Sequence, residues 1–299
     1  MILCLMGPTG SGKTALAVEL AQHLPCDIIS VDSAMVYRGM DIGTAKPNAD
    51  ILRLAPHRLI NCVDPVDPYS AGRFCQEALH EITDILSHGR IPLLVGGTML
   101  YFRALIQGLA KMPVRDDKVR EEIKKRAANE GWLLLHQELK KIDPVAASRI
   151  QVNDSQRIQR ALEVYYLTGK TMSEWQLETA PFSQEKFFQL ALIPQDRALL
   201  HKKISDRFQQ MLKQGLIEEV EKLIARGDLH ADLPSIRSVG YRQVWAYLQG
   251  EMTKDEMCEK AVIATRQLAK RQMTWLRSWP NLTVLEAEAF KNYSCPVEV

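Results

Sequence analysis

The sequence predicts an α/β protein: a parallel sheet flanked by helices and interrupted by an all-helical insertion. Three observations carry that reading. Short apolar runs alternate with helical patterns over the first hundred residues, and strand–helix alternation builds parallel sheets. From about 113 to 186 the β-rich runs stop and amphipathic helical patterns take over. At Phe187 an apolar run resumes, followed by two long helical patterns.

Taken in order, Ile2–Met6 is a continuous apolar run suited to a strand buried on both faces. A glycine-rich turn follows, then a helix over Lys13–Leu24 and a second buried strand over Asp27–Val31. Ser70–His88 has helical periodicity and stops at Gly89; Ile91–Val95 is the third strand, ending in Gly96-Gly97-Thr98. Pro113 marks entry to the helical stretch and Pro181 its exit. Phe187–Ile193 returns as a strand, Arg197–Arg226 and Met252–Trp279 read as long helices, and Leu282–Leu285 as a last short strand. The expected organisation is a core of residues 1–112 and 187–299 with a helical insertion at 113–186.

A net charge of +2 gives no global basic excess, so a nucleic-acid partner must be argued from local patches. The six cysteines lack C-x-x-C or zinc spacing, which suits reduced, core-packed thiols. The apolar start is too short for a signal peptide, and no apolar run spans a bilayer. A cytoplasmic monomer without membrane attachment is expected.

Gly7-Pro8-Thr9-Gly10-Ser11-Gly12-Lys13-Thr14 fits the P-loop pattern, between a buried strand and a helix. Glycines let successive N–H groups turn toward phosphate oxygens, Lys13 adds a point charge, and the Thr14 hydroxyl suits Mg²⁺. The fold class therefore sharpens to P-loop NTPase-like, binding a diphosphate or triphosphate. Asp32 ends the second strand beside this loop. It either serves Mg²⁺ through water, accepts a proton from a nucleophile, or caps a helix. Gly96-Gly97-Thr98 stands where many P-loop NTPases carry a second acid, which argues against ATP hydrolysis. Thr98 is either a helix cap or an anion contact, and the two can coexist.

These residues resemble the bacterial tRNA dimethylallyltransferases, also called IPP transferases. The blocks are Gly7–Thr14, Asp32–Tyr37, Met40–Pro47, Leu94–Tyr101, Asn153–Glu163, Arg237–Arg242 and Thr265–Gln272, in the right order from residue 1 to about 285. The last fourteen residues carry no family feature, and the zinc finger of the eukaryotic members is absent. The resemblance implies transfer of a dimethylallyl group from dimethylallyl diphosphate to N6 of adenosine 37 in tRNAs that read codons beginning with U. Diphosphate is the other product. Asp32 resembles the general base, Thr98 a residue near the reacting centre, and Lys13 a cation on the diphosphate.

By the same resemblance the tRNA anticodon stem-loop contacts Asp32, Ser33, Ala34, Met35, Thr98, Arg120, the block Gln156-Arg157-Ile158-Gln159-Arg160, and the block Arg237-Ser238-Val239-Gly240-Tyr241-Arg242. Read alone, Arg157 and Arg160 lie one turn apart on a face that is either solvated or RNA-binding. The Arg237–Arg242 block is either a helix end with solvated arginines or a phosphate contact. Arg120 sits in a charge-rich segment that is either solvated or a contact. Between Arg266 and Arg277 the chain has basic residues and no acid. Lys270, Arg271 and Arg277 are assigned to RNA backbone. Trp275 and Trp279, one turn apart, read as core. The rival functions are a small-molecule kinase, which leaves the basic blocks unexplained, and a nucleotide switch without chemistry.

Overall fold

The structure, a computed structural model, describes residues 1–178 and 186–286. Cys295, Pro181 and the featureless C-terminal stretch lie outside them. The chain forms two compact units, Met1–Ala104 with Gln184–Val299, and Leu105–Ser183. The second begins earlier than Pro113 because it takes in the end of a helix and the irregular segment after it.

The first unit opens with β1 (Ile2–Met6), α1 (Lys13–His23), β2 (Cys26–Val31), α2 (Ala49–Leu54), β3 (His57–Arg58), α3 (Ala71–Ser87), β4 (Ile91–Gly96) and α4 (Met99–Gln107). The second contains α5 (Asp117–Glu130), α6 (Trp132–Ile142), α7 (Pro144–Arg149), α8 (Ser155–Thr168) and α9 (Met172–Leu177). The first then resumes with β5 (Phe187–Ile193), α10 (Arg197–Lys213), α11 (Leu216–Ala225), α12 (Tyr241–Leu248), α13 (Lys254–Arg277) and β6 (Thr283–Glu286).

Six strands form one sheet in the order β3-β2-β4-β1-β5-β6, every neighbouring pair parallel. Leu5, Ile28, Leu93 and Leu192, from four strands, pack against Leu16, Ala17 and Val18 of α1. Each such buried Leu or Ile contributes roughly 1.5–3 kcal/mol. Cys4, Cys26 and Cys75 are free, buried thiols. No helix among the described residues is long and apolar enough to cross a membrane.

The expected strands and long helices are present, with four additions and one break. The two residues of β3 and the short α2 and α12 are too brief to show a period. Helix α2 starts because the Asn48 side chain accepts the Ile51 N–H at 2.9 Å. In α4, Met99, Tyr101, Phe102, Ala104 and Leu105 are buried, and Leu100, Arg103 and Gln107 make a narrow exposed face. The pattern expected over Arg197–Arg226 is two helices, interrupted at Gln214–Gly215. His57, for which the sequence suggests no chemical role, lies in β3 with Nδ1 2.7 Å from the Ala55 carbonyl.

The helical unit has its own core of Ile123, Leu135, Leu139, Ile158 and Leu162, among others. The register of the sheet matters more for function. Met6 pairs with Gly96, and Gly96 with Val31. The next residue on each of these adjacent strands (Gly7, Gly97 and Asp32) therefore leaves the sheet at one level. This is the carboxyl edge, where open α/β sheets bind ligands.

Candidate diphosphate and acceptor site

The loop after β1 is a phosphate cradle by backbone geometry. Gly12 precedes α1 with φ 92°, a conformation that costs glycine little, and no side chain caps the helix. The first-turn N–H groups of any α-helix lack intrahelical acceptors, and the helix dipole adds positive potential there. Lys13 Nζ donates to the Pro8 carbonyl at 2.6 Å, so the cation rests on its own loop. Burial pulls its pKa down to about 7; Asp32 acts in the opposite sense, and the positive charge of Arg207 adds to the lowering.

Arg207, on α10, joins this corner electrostatically and was missed by sequence reasoning. Burial lowers its pKa and the Asp32 carboxylate opposes that. Lys13, Asp32 and Arg207 thus form one electrostatic group. A signal existed. Leu200, Ile204, Phe208 and Met211 make the buried stripe of α10, and Arg207 falls on that stripe, one turn from Ile204 and from Met211. An arginine on the apolar side of a helix needs an anion.

Asp32 closes the turn that follows β2 at the carboxyl edge of the sheet. Its Oδ1 accepts the N–H groups of Ala34 at 2.8 Å and Met35 at 3.2 Å, shaping the turn after β2. Among the described residues its other oxygen has no hydrogen bond. The helix-cap reading is corrected to a turn, since after β2 no helix begins before Ala49. Thr98 completes this corner. Its hydroxyl accepts the Ser33 N–H at 3.1 Å and donates to Ser33 Oγ at 3.4 Å, so it braces the residue next to Asp32. Gln272, from α13, lies between the loops: its Oε1 accepts the Thr9 N–H at 2.9 Å and its Nε2 donates to the Gly97 carbonyl at 2.8 Å.

The Arg237–Arg242 block divides. Arg237 and Arg242 are exposed, Ser238 and Val239 half-buried, and Gly240 buried at the start of α12. Tyr241 is fully buried, and its hydroxyl donates to Glu219. The same carboxylate accepts the N–H groups of Asp41, Ile42 and Gly43 at 2.9, 2.8 and 3.2 Å. The expectation that the Tyr241 side chain meets RNA is corrected: it fastens the loop around residues 41–43.

On α13, Lys270, Arg271 and Arg277 are exposed. Arg266 is half-buried, and its Nε has no acceptor among the described residues. Both tryptophans are half-buried. The Arg103 guanidinium lies 5.8 Å from the Trp275 ring, and Trp279 Nε1 donates to Gln189 Oε1 at 2.6 Å, anchoring the helix to β5.

In the helical unit, Gln156 and Arg157 are exposed, whereas Ile158 is fully buried in the core and Gln159 is buried, donating to the Arg120 carbonyl at 3.0 Å. The expected contacts through the side chains of Ile158 and Gln159 are corrected on that ground. Arg120 and Arg160 each donate to Glu163 at 3.0 Å.

Two family models match the chain. One for IPP transferase covers residues 35–279, and one for isopentenyl transferase covers residues 1–60. Among solved structures, the full-length tRNA isopentenylpyrophosphate transferase of Bacillus halodurans is 38% identical, with a TM-score of 0.70 over 96% of this chain and 89% of that one. The tRNA delta(2)-isopentenylpyrophosphate transferase of Staphylococcus epidermidis is 31% identical, with a TM-score of 0.67 over 96% and 93%. A eukaryotic dimethylallyltransferase acting on tRNA is 26% identical, with a TM-score of 0.81 over 98% of this chain and 76% of that one.

Proposed function

This chain belongs to the IPP transferase family and is a tRNA prenyltransferase, and from that premise we propose that it transfers a dimethylallyl group from dimethylallyl diphosphate to N6 of adenosine 37 in tRNAs reading codons that begin with U. The observation that carries the reading is the single electrostatic group of Lys13, Asp32 and Arg207 at the edge of the phosphate cradle.

In the transfer, the allylic C1–O bond breaks and the electron pair leaves on the diphosphate. The N6–C1 bond forms, and N6 loses a proton. The backbone N–H groups at the start of α1, together with Lys13 and Arg207, stabilise the charge that gathers on the departing diphosphate. Asp32 accepts the proton from N6, an amine whose lone pair is delocalised into the ring. Thr98 keeps Asp32's turn in place and borders the reacting centre. The target adenine leaves its stack to reach the pocket.

Mg²⁺ is the cofactor in this reading. The Thr14 hydroxyl and diphosphate oxygens are hard donors that suit an ion held largely through its substrate, and it would neutralise part of the diphosphate charge. Among the described residues no cluster of three or more His, Cys, Asp or Glu side chains offers a protein-only cage. On the first unit the tRNA anticodon stem-loop docks through Ser33, Ala34 and Met35, through the exposed Arg237 and Arg242, and through Lys270, Arg271 and Arg277. On the helical unit it docks through the exposed Gln156 and Arg157, on a surface that Arg120 and Arg160 support. The enzyme works as a cytoplasmic monomer.

Asp32→Asn tests the assignment. Single-turnover prenyl transfer should slow by roughly 10²-fold or more, with tRNA binding unchanged. A full rate in the variant, or turnover of a nucleoside triphosphate in place of the prenyl donor, would end it.

A further inference from the structure

We propose that Gln272 is a positioning residue for prenyl transfer, fixing the distance between the leaving diphosphate and the proton acceptor. The proposal rests on the placement of the diphosphate at the P-loop given above.

Strands β1 and β4 pair as far as Met6 and Gly96, and beyond that row each chain turns away to form half of the site. Nothing in the ladder holds the two turns together. The Gln272 amide does so from α13, buried at 8% exposure. Its oxygen takes Thr9 of the P-loop and its nitrogen takes Gly97 of the β4–α4 turn. A primary amide offers both a donor and an acceptor on one planar head, which this pair of opposite backbone groups requires. Gly97 leaves room for it: a Cβ there would lie 2.4 Å from Gln272 Nε2 and would push the amide from this position.

The consequence runs past Gly97. Its neighbour Thr98 holds the Ser33 N–H, and Ser33 adjoins Asp32. A continuous chain of contacts thus joins the P-loop to the base: Thr9, Gln272, Gly97, Thr98, Ser33, Asp32. Reactions of this type depend on reacting groups being set within a fraction of an ångström. Lys270 and Arg271 are exposed beside the buried Gln272, so Gln272 acts through the protein and not through RNA.

The test uses the full chain with Gln272→Met, which keeps length and loses both bonds, and Gln272→Glu, which keeps an acceptor and loses the donor. The measurements are kcat, KM for tRNA, Kd for inorganic diphosphate without tRNA, and thermal midpoint. At a temperature well below either midpoint, Gln272→Met should lower kcat by roughly 10- to 100-fold and leave KM for tRNA within about twofold. Gln272→Glu should fall between wild type and Gln272→Met. Unchanged kcat in both folded variants would reduce Gln272 to a structural tie and overturn the proposal. A raised KM for tRNA at unchanged kcat would make it an RNA contact and overturn the proposal equally. Wild-type protein that fails to bind inorganic diphosphate would instead sink the placement of the diphosphate, and the proposal with it.

Discussion

Two groups of basic residues use charge in opposite ways. In the helical unit, Arg120 and Arg160 share Glu163, whose side chain is fully buried and which also accepts the Asp116 N–H. That cluster is satisfied from within. At the sheet edge, Lys13 and Arg207 both feel one carboxylate, Asp32, and burial weakens both cations. That cluster has more positive than negative charge in a half-buried place, beside backbone N–H groups at the start of α1. The first arrangement is complete without a ligand. The second favours a multivalent anion. Basic residues in a sequence therefore do not sort by residue type into scaffold and site; the burial and pairing of the nearest carboxylate sorts them.

The sharpest way to break this comparison is Glu163→Gln. Removing one partner of a buried charged cluster should cost about 3 kcal/mol or more, read from denaturant unfolding. Activity per folded molecule should persist. If stability held and tRNA affinity collapsed, the helical cluster would be a site after all.

The same carboxylate has a pH signature. Burial alone would raise its pKa, and Arg120, the Asp116 N–H and Arg160 together hold it below the usual glutamate range. A depressed pKa in the folded state gives stability that is present above the unfolded value and lost as pH falls through the folded one. Wild type should lose this increment below about pH 4, and Glu163→Gln should not.

Next in size is Arg207→Ala. In the proposed reaction Arg207 stabilises the leaving diphosphate, and its loss should lower kcat by roughly 10²- to 10³-fold. The thermal midpoint should stay level or rise, since a half-buried, under-compensated charge is removed. A large drop in midpoint with normal kcat would place Arg207 with Arg120 and Arg160.

The smallest effect concerns Lys13. Its pKa of about 7 in the free enzyme must rise when an anion binds. Diphosphate affinity should therefore weaken as pH rises above 7, by up to roughly tenfold per unit. Lys13→Arg, charged throughout, should show only the titration of diphosphate itself in a calorimetric series. Parallel pH profiles for the two proteins would refute the lowered pKa.

The parallel strands and the P-loop were legible in the sequence because each depends on neighbours within a few residues. Continuous apolar runs such as Ile2–Met6 mark strands buried on both faces, and the loop motif sits directly after one. Gln272 was not legible, since its partners Thr9 and Gly97 lie 263 and 175 positions away. Tyr241 shows the converse problem. Its block mixes two exposed arginines with a core residue, and a pattern along the chain does not reveal which side chains point inward. Arg207 lay between these cases, visible only once the buried stripe of α10 was matched against charge.

The order of strands also bears on how the molecule is made. Strand β1 is flanked by β4 on one side and β5 on the other, and β5 begins at Phe187, beyond the whole helical unit. A nascent chain that has released only β1 to β4 exposes an open, apolar edge on β1, the kind of edge that templates wrong pairings. Closing it waits for a long stretch of synthesis, while the helices between, rich in local contacts, collapse early. On the ribosome, then, β1, which launches the phosphate loop, gains its second neighbour late.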